Sequence, residues 1–86
     1  MFNNQLNKQY LEFIKTAGYN SSKDTLGTYF DNGMHRFSIM KTGTIYQCYL
    51  NEKSVNGWVL KKKSNNFFNF IDALRWILMI IQRGIK

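Results

Sequence analysis

The stretch LGTYFDNGMHRFSIMKTGTIYQCYL, residues 26–50, decides the fold. It holds three runs with many β-branched and aromatic residues, at positions 26–31, 34–41 and 44–50, and such runs favour strands. Asn32 and Gly33 separate the first two runs and form the strongest short hairpin signal, because both residue types tolerate positive φ. Thr42 and Gly43 predict a second tight turn. The stretch therefore predicts an antiparallel meander of three strands.

The alternation of side chains along these strands predicts two different sheet faces. With those two pairs as the central turn residues, one mostly apolar face is expected to form the core: Leu26, Thr28, Phe30, Phe37, Ile39, Tyr46, Cys48 and Leu50. The opposite face then has a row in which Arg36 lies between Tyr29 and Tyr49. This row could stack bases or contact a sugar–phosphate chain. The alternative is that the arginine rests on the tyrosines and only stabilises the sheet.

The segments before the meander predict a helix and a loop. Residues 4–17 have the apolar spacing of an amphipathic helix, with Asn3 or Asn4 as the N-cap and Gly18 as the stop. Residues 20–25, NSSKDT, have the composition of a polar loop.

The segments after the meander predict a further strand and a second helix. Residues 51–57 are interpreted as a loop, WVLKKK at 58–63 as a fourth strand, and about 66–83 as a helix capped by Ser64, Asn65 or Asn66. The predicted fold class is α+β in the order α-β-β-β-(β)-α. It has an antiparallel sheet of three or four strands, with both helices packed on one face.

Length and composition indicate one soluble domain spanning residues 1–86. The hydrophobic fraction is 44% and the aromatic fraction 16%, which is enough for a core. The only cysteine cannot form an internal disulfide, which favours a reducing, cytoplasmic setting. The longest apolar run, WILMII at 76–81, is far shorter than the ~20 residues of a membrane span, so no membrane association is expected. The net charge of +7 predicts a polyanionic partner, either nucleic acid or an acidic protein surface.

Two further segments are candidate binding surfaces. Lys61, Lys62 and Lys63 directly precede the predicted second helix, whose free N–H groups could bind phosphate together with the lysines. The alternative is a charged edge strand that resists edge-to-edge pairing. The second helix has only a narrow polar stripe, so Trp76, Met79 and Ile80 are candidates for a partner or homodimer interface. The alternative is a core helix.

Evidence for catalysis is sparse in the sequence. There is no spaced zinc motif, P-loop or GxSxG, and we expect neither a metal nor a cofactor. Cys48 and His35 fall on the same predicted face and could form a nucleophile–base pair, but that face is the core, where cysteine usually acts as a small hydrophobe. His35 alone could be a general base in RNA cleavage. We predict a non-catalytic protein.

The order of elements resembles the double-stranded RNA-binding domain, an α-β-β-β-α fold with both helices on one sheet face. The segments IKTAGY, LGTYFDNGMHRFSI and ALRWILMIIQRGIK are similar to the opening and closing parts of the related HicA-type toxin, a basic mRNA-cleaving protein. This chain has GTYF where the toxin has its catalytic histidine after a Gly-Ser pair. The resemblance therefore implies RNA binding without cleavage.

Together these features predict a small basic non-catalytic protein that binds RNA or a duplex backbone. The alternative is a small phage or mobile-element protein that binds and inhibits a host factor, such as a defence factor.

Overall fold

The chain folds as a five-stranded antiparallel sheet with one helix at each end of the sequence. The computed structural model describes the backbone of residues 2–85 and the side chains of residues 5–85. The elements are α1 (Phe2–Thr16), β1 (Asn20–Lys23), β2 (Gly27–Asp31), β3 (His35–Thr42), β4 (Ile45–Ser54), β5 (Gly57–Lys63) and α2 (Phe70–Arg83). The strands lie in the order β1-β2-β3-β4-β5. The predicted α+β class is confirmed and the element order agrees approximately, with five strands where three or four were expected.

Two polar segments that the sequence predicts as loops pair as strands. Asn20–Lys23 forms edge strand β1 against β2, with all four residues exposed. Residues 51–54 extend β4 and pair with β5, so that only Val55 and Asn56 form the turn. Edge strand β1 buries no side chain and residues 51–54 are polar, so the backbone ladders of these two segments leave no hydrophobic pattern in the sequence.

The hairpin turns lie one residue later than predicted. Asp31 pairs with Arg36 and Thr42 pairs with Ile45 across their respective turns. The first residues of the two turns, Gly33 and Gly43, have positive φ values of 91° and 63°, as type II′ hairpins require. Each register therefore differs by two residues from the predicted one. Because side chains alternate with a period of two, the residues within β2, β3 and β4 still lie on their predicted faces.

The core lies between the sheet and the two helices, which pack on the same sheet face. Of the eight residues predicted for that face, Phe30, Phe37, Ile39, Cys48 and Leu50 are buried. Helix α1 contributes Ile14, and α2 contributes Ala73, Leu74, Ile77, Leu78 and Ile80. Thr28 and Tyr46 are half-buried. Leu26 is an exception at 64% exposure, because it lies in the bend before β2 and not within the strand.

Both helices begin at positions other than those predicted. Helix α1 already begins at Phe2, so Asn3 and Asn4 lie inside it, and their side chains are outside the described ones. Helix α2 begins at Phe70 after Asn69, whose side chain makes no capping hydrogen bond. Ser64 is therefore not a helix cap. Within residues 2–85, no helix is both long enough and apolar enough to cross a membrane.

Ser64 instead completes the sheet beside β4. Its backbone N–H donates to the Cys48 carbonyl oxygen at 2.9 Å, and its Oγ accepts from the Cys48 N–H at 2.8 Å. The same hydroxyl donates to the Asn65 carbonyl oxygen at 2.8 Å. A hydroxyl thus replaces the carbonyl group that a regular neighbouring strand would offer to Cys48, which explains why this polar residue is buried.

Candidate functional site

The sheet face opposite the helices is the largest surface on which the predicted site residues meet. We call it the outer face. Strand alternation and cross-strand contacts assign to it Ser22, Tyr29, Asp31, Arg36, Ser38, Met40, Ile45, Gln47, Tyr49, Asn51, Lys53, Trp58, Leu60 and Lys63. Its three aromatic residues are half-buried. The face therefore combines ring surface with polar and basic groups.

The residue between the two tyrosines is Ser38, and not Arg36 as the sequence predicts. Ser38 pairs with Tyr29 on one side and with Tyr49 on the other. The cause is the two-residue change of register at each turn, which moves Arg36 to the neighbouring row opposite Asp31 and Asn51. The row continues over all five strands, because Ser22 pairs with Tyr29 and Lys63 pairs with Tyr49. We call Ser22, Tyr29, Ser38, Tyr49 and Lys63 the cross-sheet row.

Both tyrosine rings of this row are tethered through their hydroxyl groups. The Tyr29 hydroxyl donates to Asp24 Oδ1 at 3.1 Å, and the Tyr49 hydroxyl donates to Gln47 Oε1 at 2.8 Å. Asp24 lies in the turn just before β2, and Gln47 lies two residues back on the same strand as Tyr49. Each hydrogen bond therefore fixes the position of the hydroxyl end of its ring. Burial raises the pKa of Tyr29, as does its bond to Asp24, so this donor stays protonated at neutral pH.

Asp24 is itself held by the backbone of its turn. Its Oδ1 accepts from the N–H of Leu26 at 2.8 Å and from that of Gly27 at 3.0 Å. These bonds, with the one to Gly27 having the larger effect, lower the pKa of the Asp24 carboxyl. The acceptor for Tyr29 is therefore an ionised carboxylate in a fixed position.

Arg36 is engaged by neighbouring side chains within the outer face. Its Nη2 and Nε atoms each lie 3.0 Å from Asp31 Oδ2. Its guanidinium carbon lies 4.6 Å from the ring centroid of Trp58. The arginine thus makes a cation–π contact with Trp58, and not with the tyrosines that the alternative interpretation names. The pKa of Asp31 is lowered by the Gly33 N–H first and by Arg36 in addition.

Lys61, Lys62 and Lys63 all lie exposed on edge strand β5, away from the start of α2. Residues 64–69 separate them from the helix. Lys63 pairs with Tyr49, whereas Phe67 pairs with Tyr46, which lies three residues earlier in β4. The two pairing positions are therefore about 10 Å apart along the strand. The three lysines therefore do not directly precede the first turn of α2, contrary to the sequence prediction.

The three lysines have different surroundings on β5. Lys62 pairs with Leu50, on the sheet face that carries the core. Lys61 falls at the register shift opposite the 50/51 position, and its Nζ lies 3.9 Å from Glu52 Oε2. Only Lys63 joins the cross-sheet row. With Lys53, the β4–β5 hairpin has four lysines and one glutamate, a net charge of +3 out of +7 for the chain.

Cys48 and His35 do not form a nucleophile–base pair. Cys48 pairs with Ile39 and His35 pairs with Glu52, so about 13 Å of strand separates them. Cys48 is 0% exposed, and burial raises the pKa of its thiol to about 12. His35 Nε2 lies 3.1 Å from Glu52 Oε1, a cross-strand partner that also approaches Lys61. Among the described residues, no group of three or more His, Cys, Asp or Glu is placed to hold a metal ion.

The three residues predicted for a partner or dimer interface on α2 do not form one surface. Ile80 is 9% exposed and belongs to the core. Trp76 is half-buried and packs edge-to-face on Phe37, with 6.4 Å between ring centroids. Only Met79, at 46%, is substantially exposed. The narrow polar stripe of α2 is therefore largely explained by the core of this domain.

Several residues of the outer face were missed by the sequence analysis. Trp58 could have been found from its place at the start of a lysine-rich strand next to a hairpin turn. Ser38 could have been found only from the correct register, and the tethers of Asp24 and Gln47 leave no pattern in the sequence. Comparisons of the chain with protein-family models, with curated proteins and with solved structures found no match.

Proposed function

We propose that this protein binds nucleic acid without cleaving it, through the outer face and the adjoining lysines of β5. The observation that carries the proposal is the cross-sheet row, which sets two tethered tyrosines beside a lysine on a face that no helix covers. Aromatic rings and cations in alternation match the two exposed chemical groups of nucleic acids, bases and phosphates.

The distribution of charge also supports a phosphate backbone as the ligand. Lys53, Lys61, Lys62 and Lys63 gather on one hairpin, and Glu52 is the one acidic residue there. Lys62 and Lys63 make no ion pair within the described residues. Neutralising phosphates with such lysines releases counterions and gives a favourable, salt-sensitive binding energy.

An acidic protein surface is the second candidate ligand, as the inhibitor interpretation would require. Val59 and Leu60 are about half exposed on β5, next to the lysines. They point to opposite faces of this edge strand, so a protein partner that covers the edge could bury both side chains, whereas a phosphate backbone offers them no apolar contact.

The test is binding of labelled single-stranded and duplex oligonucleotides, measured by fluorescence anisotropy at about 50 and about 200 mM salt. Replacing Lys61, Lys62 and Lys63 by glutamine is expected to weaken binding about fivefold or more per lost phosphate contact. The slope of log binding constant against log salt concentration should become shallower by about 0.7–0.9 per lost contact. The matched control replaces Lys8, Lys15 and Lys23, three exposed lysines on α1 and β1, and removes the same charge.

The outcomes separate a site from bulk charge. A large loss for the β5 variant with a small loss for the control supports the proposal. Equal losses would reduce the effect to net charge. Absence of binding to either oligonucleotide form at low salt would refute nucleic-acid binding. In that case, a protein partner whose binding is lost in the Val59→Ser variant would favour the second candidate.

A further inference from the structure

We infer that the outer face selects single-stranded over duplex nucleic acid, with bases stacked on Tyr29 and Tyr49 and a phosphate at Lys63. The inference rests on the proposed function and assigns a ligand class to the same face. It is argued from the hydroxyl tethers of the two rings, their spacing and the place of the lysine in their row.

The hydroxyl tethers hold each tyrosine ring in place for a ligand. Each tether fixes the hydroxyl end of its ring, and neither side chain is fully buried, so part of each ring surface is accessible to a ligand. A ring fixed in this way loses little conformational entropy when a base stacks on it.

Trp58 differs from the tyrosines in this respect. The Arg36 guanidinium already lies over its ring at 4.6 Å from the centroid, and the arginine is also bound to Asp31. Trp58 therefore forms a border of the platform, and the two tyrosines are its free stacking surfaces.

The spacing of the rings fits a single strand crossing the sheet. Tyr29 and Tyr49 are two strands apart, which corresponds to about 10 Å. Ser38 between them is 6% exposed and small, so nothing bulky in this row stands between the rings. In a duplex each base is covered by neighbours at about 3.4 Å spacing and by its pairing partner. Only a strand whose bases are splayed apart can place one on each ring.

Lys63 extends this arrangement by one strand. It pairs with Tyr49 and is exposed, so its ammonium group can reach the phosphate next to a base stacked on Tyr49. Any base can stack on a tyrosine ring, and a lysine recognises only the charge of the phosphate. The outer face should therefore prefer single strands without regard to their sequence. This chemistry is shared by RNA and DNA.

The experiment compares a mixed-sequence oligonucleotide of about 12 residues as single-stranded RNA, as single-stranded DNA and as a duplex. Tyr29→Leu and Tyr49→Leu remove a ring and keep an apolar strand residue. Each is expected to weaken binding of a single strand about 5- to 100-fold and to leave the weaker duplex binding unchanged. Tyr29→Phe and Tyr49→Phe keep the ring, lose the tether and serve as matched controls, with losses below about threefold.

A second measurement does not depend on folding of the variants. Single strands with 5-iodouridine, irradiated on the unmodified protein, are expected to crosslink to peptides containing Tyr29 or Tyr49. Duplex binding as tight as that of either single strand, leucine variants that bind like the parent, or crosslinks only elsewhere would overturn the inference. In those three cases nucleic-acid binding itself would stand, whereas no binding of any probe would remove the proposed function. A difference in affinity between the RNA strand and the DNA strand would identify which of the two is the natural ligand.

Discussion

Replacing Ser64 by alanine should destabilise this domain far more than an exposed serine-to-alanine change. The Ser64 hydroxyl accepts from the backbone N–H of Cys48 at 2.8 Å, and Cys48 is fully buried. Without the hydroxyl this N–H group has no partner and no access to water. An orphaned buried donor lowers the free energy of unfolding by about 1–3 kcal/mol. For a domain of this size, each kcal/mol lowers Tm by about 4–8 °C.

The matched control is Ser54→Ala in the β4–β5 turn. The Ser54 hydroxyl also makes two hydrogen bonds, donating to the Gly57 carbonyl oxygen at 3.0 Å and accepting from the Asn56 N–H at 3.3 Å. Both bonds are exposed, so water can replace the lost hydroxyl, and the expected loss is within about 0.5 kcal/mol. Thermal and urea unfolding followed by circular dichroism measure the two changes.

The cysteine provides an independent assay of the same quantity. Because Cys48 is buried and its thiol pKa is about 12, a thiol reagent reacts with it only in opened molecules. Where reclosing is faster than labelling, the labelling rate follows the equilibrium population of the open form. Each kcal/mol lost should then increase the rate about fivefold. Equal Tm values and equal labelling rates for Ser64→Ala and Ser54→Ala would refute the role of the hydroxyl in the sheet.

Two further predictions concern β2 and the acidic groups beside the outer face. Gly27→Ala would drive a Cβ into the Ile39 carbonyl oxygen and to 2.9 Å from Met40 Sδ, so we expect a loss of about 1–3 kcal/mol; an unchanged Tm would contradict this packing. The carboxyls of Asp24 and Asp31 have pKa values lowered by folding, so their stabilising contribution is fully present above about pH 4 and is lost as pH falls through the lowered values. Unfolding titrations from pH 6 to pH 2 should show this loss diminished in Asp24→Asn, and an identical acid profile would exclude the Asp24 turn as its source.

The fold could be predicted from residues 26–50 because burial and turn chemistry leave strong marks in sequence. Phe30, Phe37 and Leu50 alternate with polar residues, and a hairpin needs its glycine. The predicted face of each strand residue is correct although the turns were misplaced by one residue. A register change of two residues keeps every strand side chain on the same face. The predicted cross-strand neighbours are wrong, because they depend on the register itself. For this reason the sequence placed Arg36, and not Ser38, between the tyrosines.

The remaining differences have one physical origin, which is that backbone pairing needs no particular side chain. Edge strand β1 is polar and exposed, and the end of inner strand β4 is polar and at most half-buried, so no periodic apolar pattern marks either segment. Ser64 was misread for a related reason. A serine ahead of an apolar run is typical of a helix cap, and here the same hydroxyl bonds a strand N–H instead. Local chemistry alone does not distinguish these two partners.

The positions of the lysines on β5 bear on the two interpretations that the sequence leaves open, edge protection and phosphate binding. These two roles would use different side chains. Protection of an edge needs charge anywhere along the strand, and Lys61 and Lys62 supply it outside the cross-sheet row. The lysine in the row of the two tyrosines is Lys63, so the proposed ligand would meet this one of the three lysines. Edge protection and ligand binding therefore do not compete for the same side chains. A run of three lysines at a register shift can serve both functions, because the irregular pairing around Lys61 separates their environments.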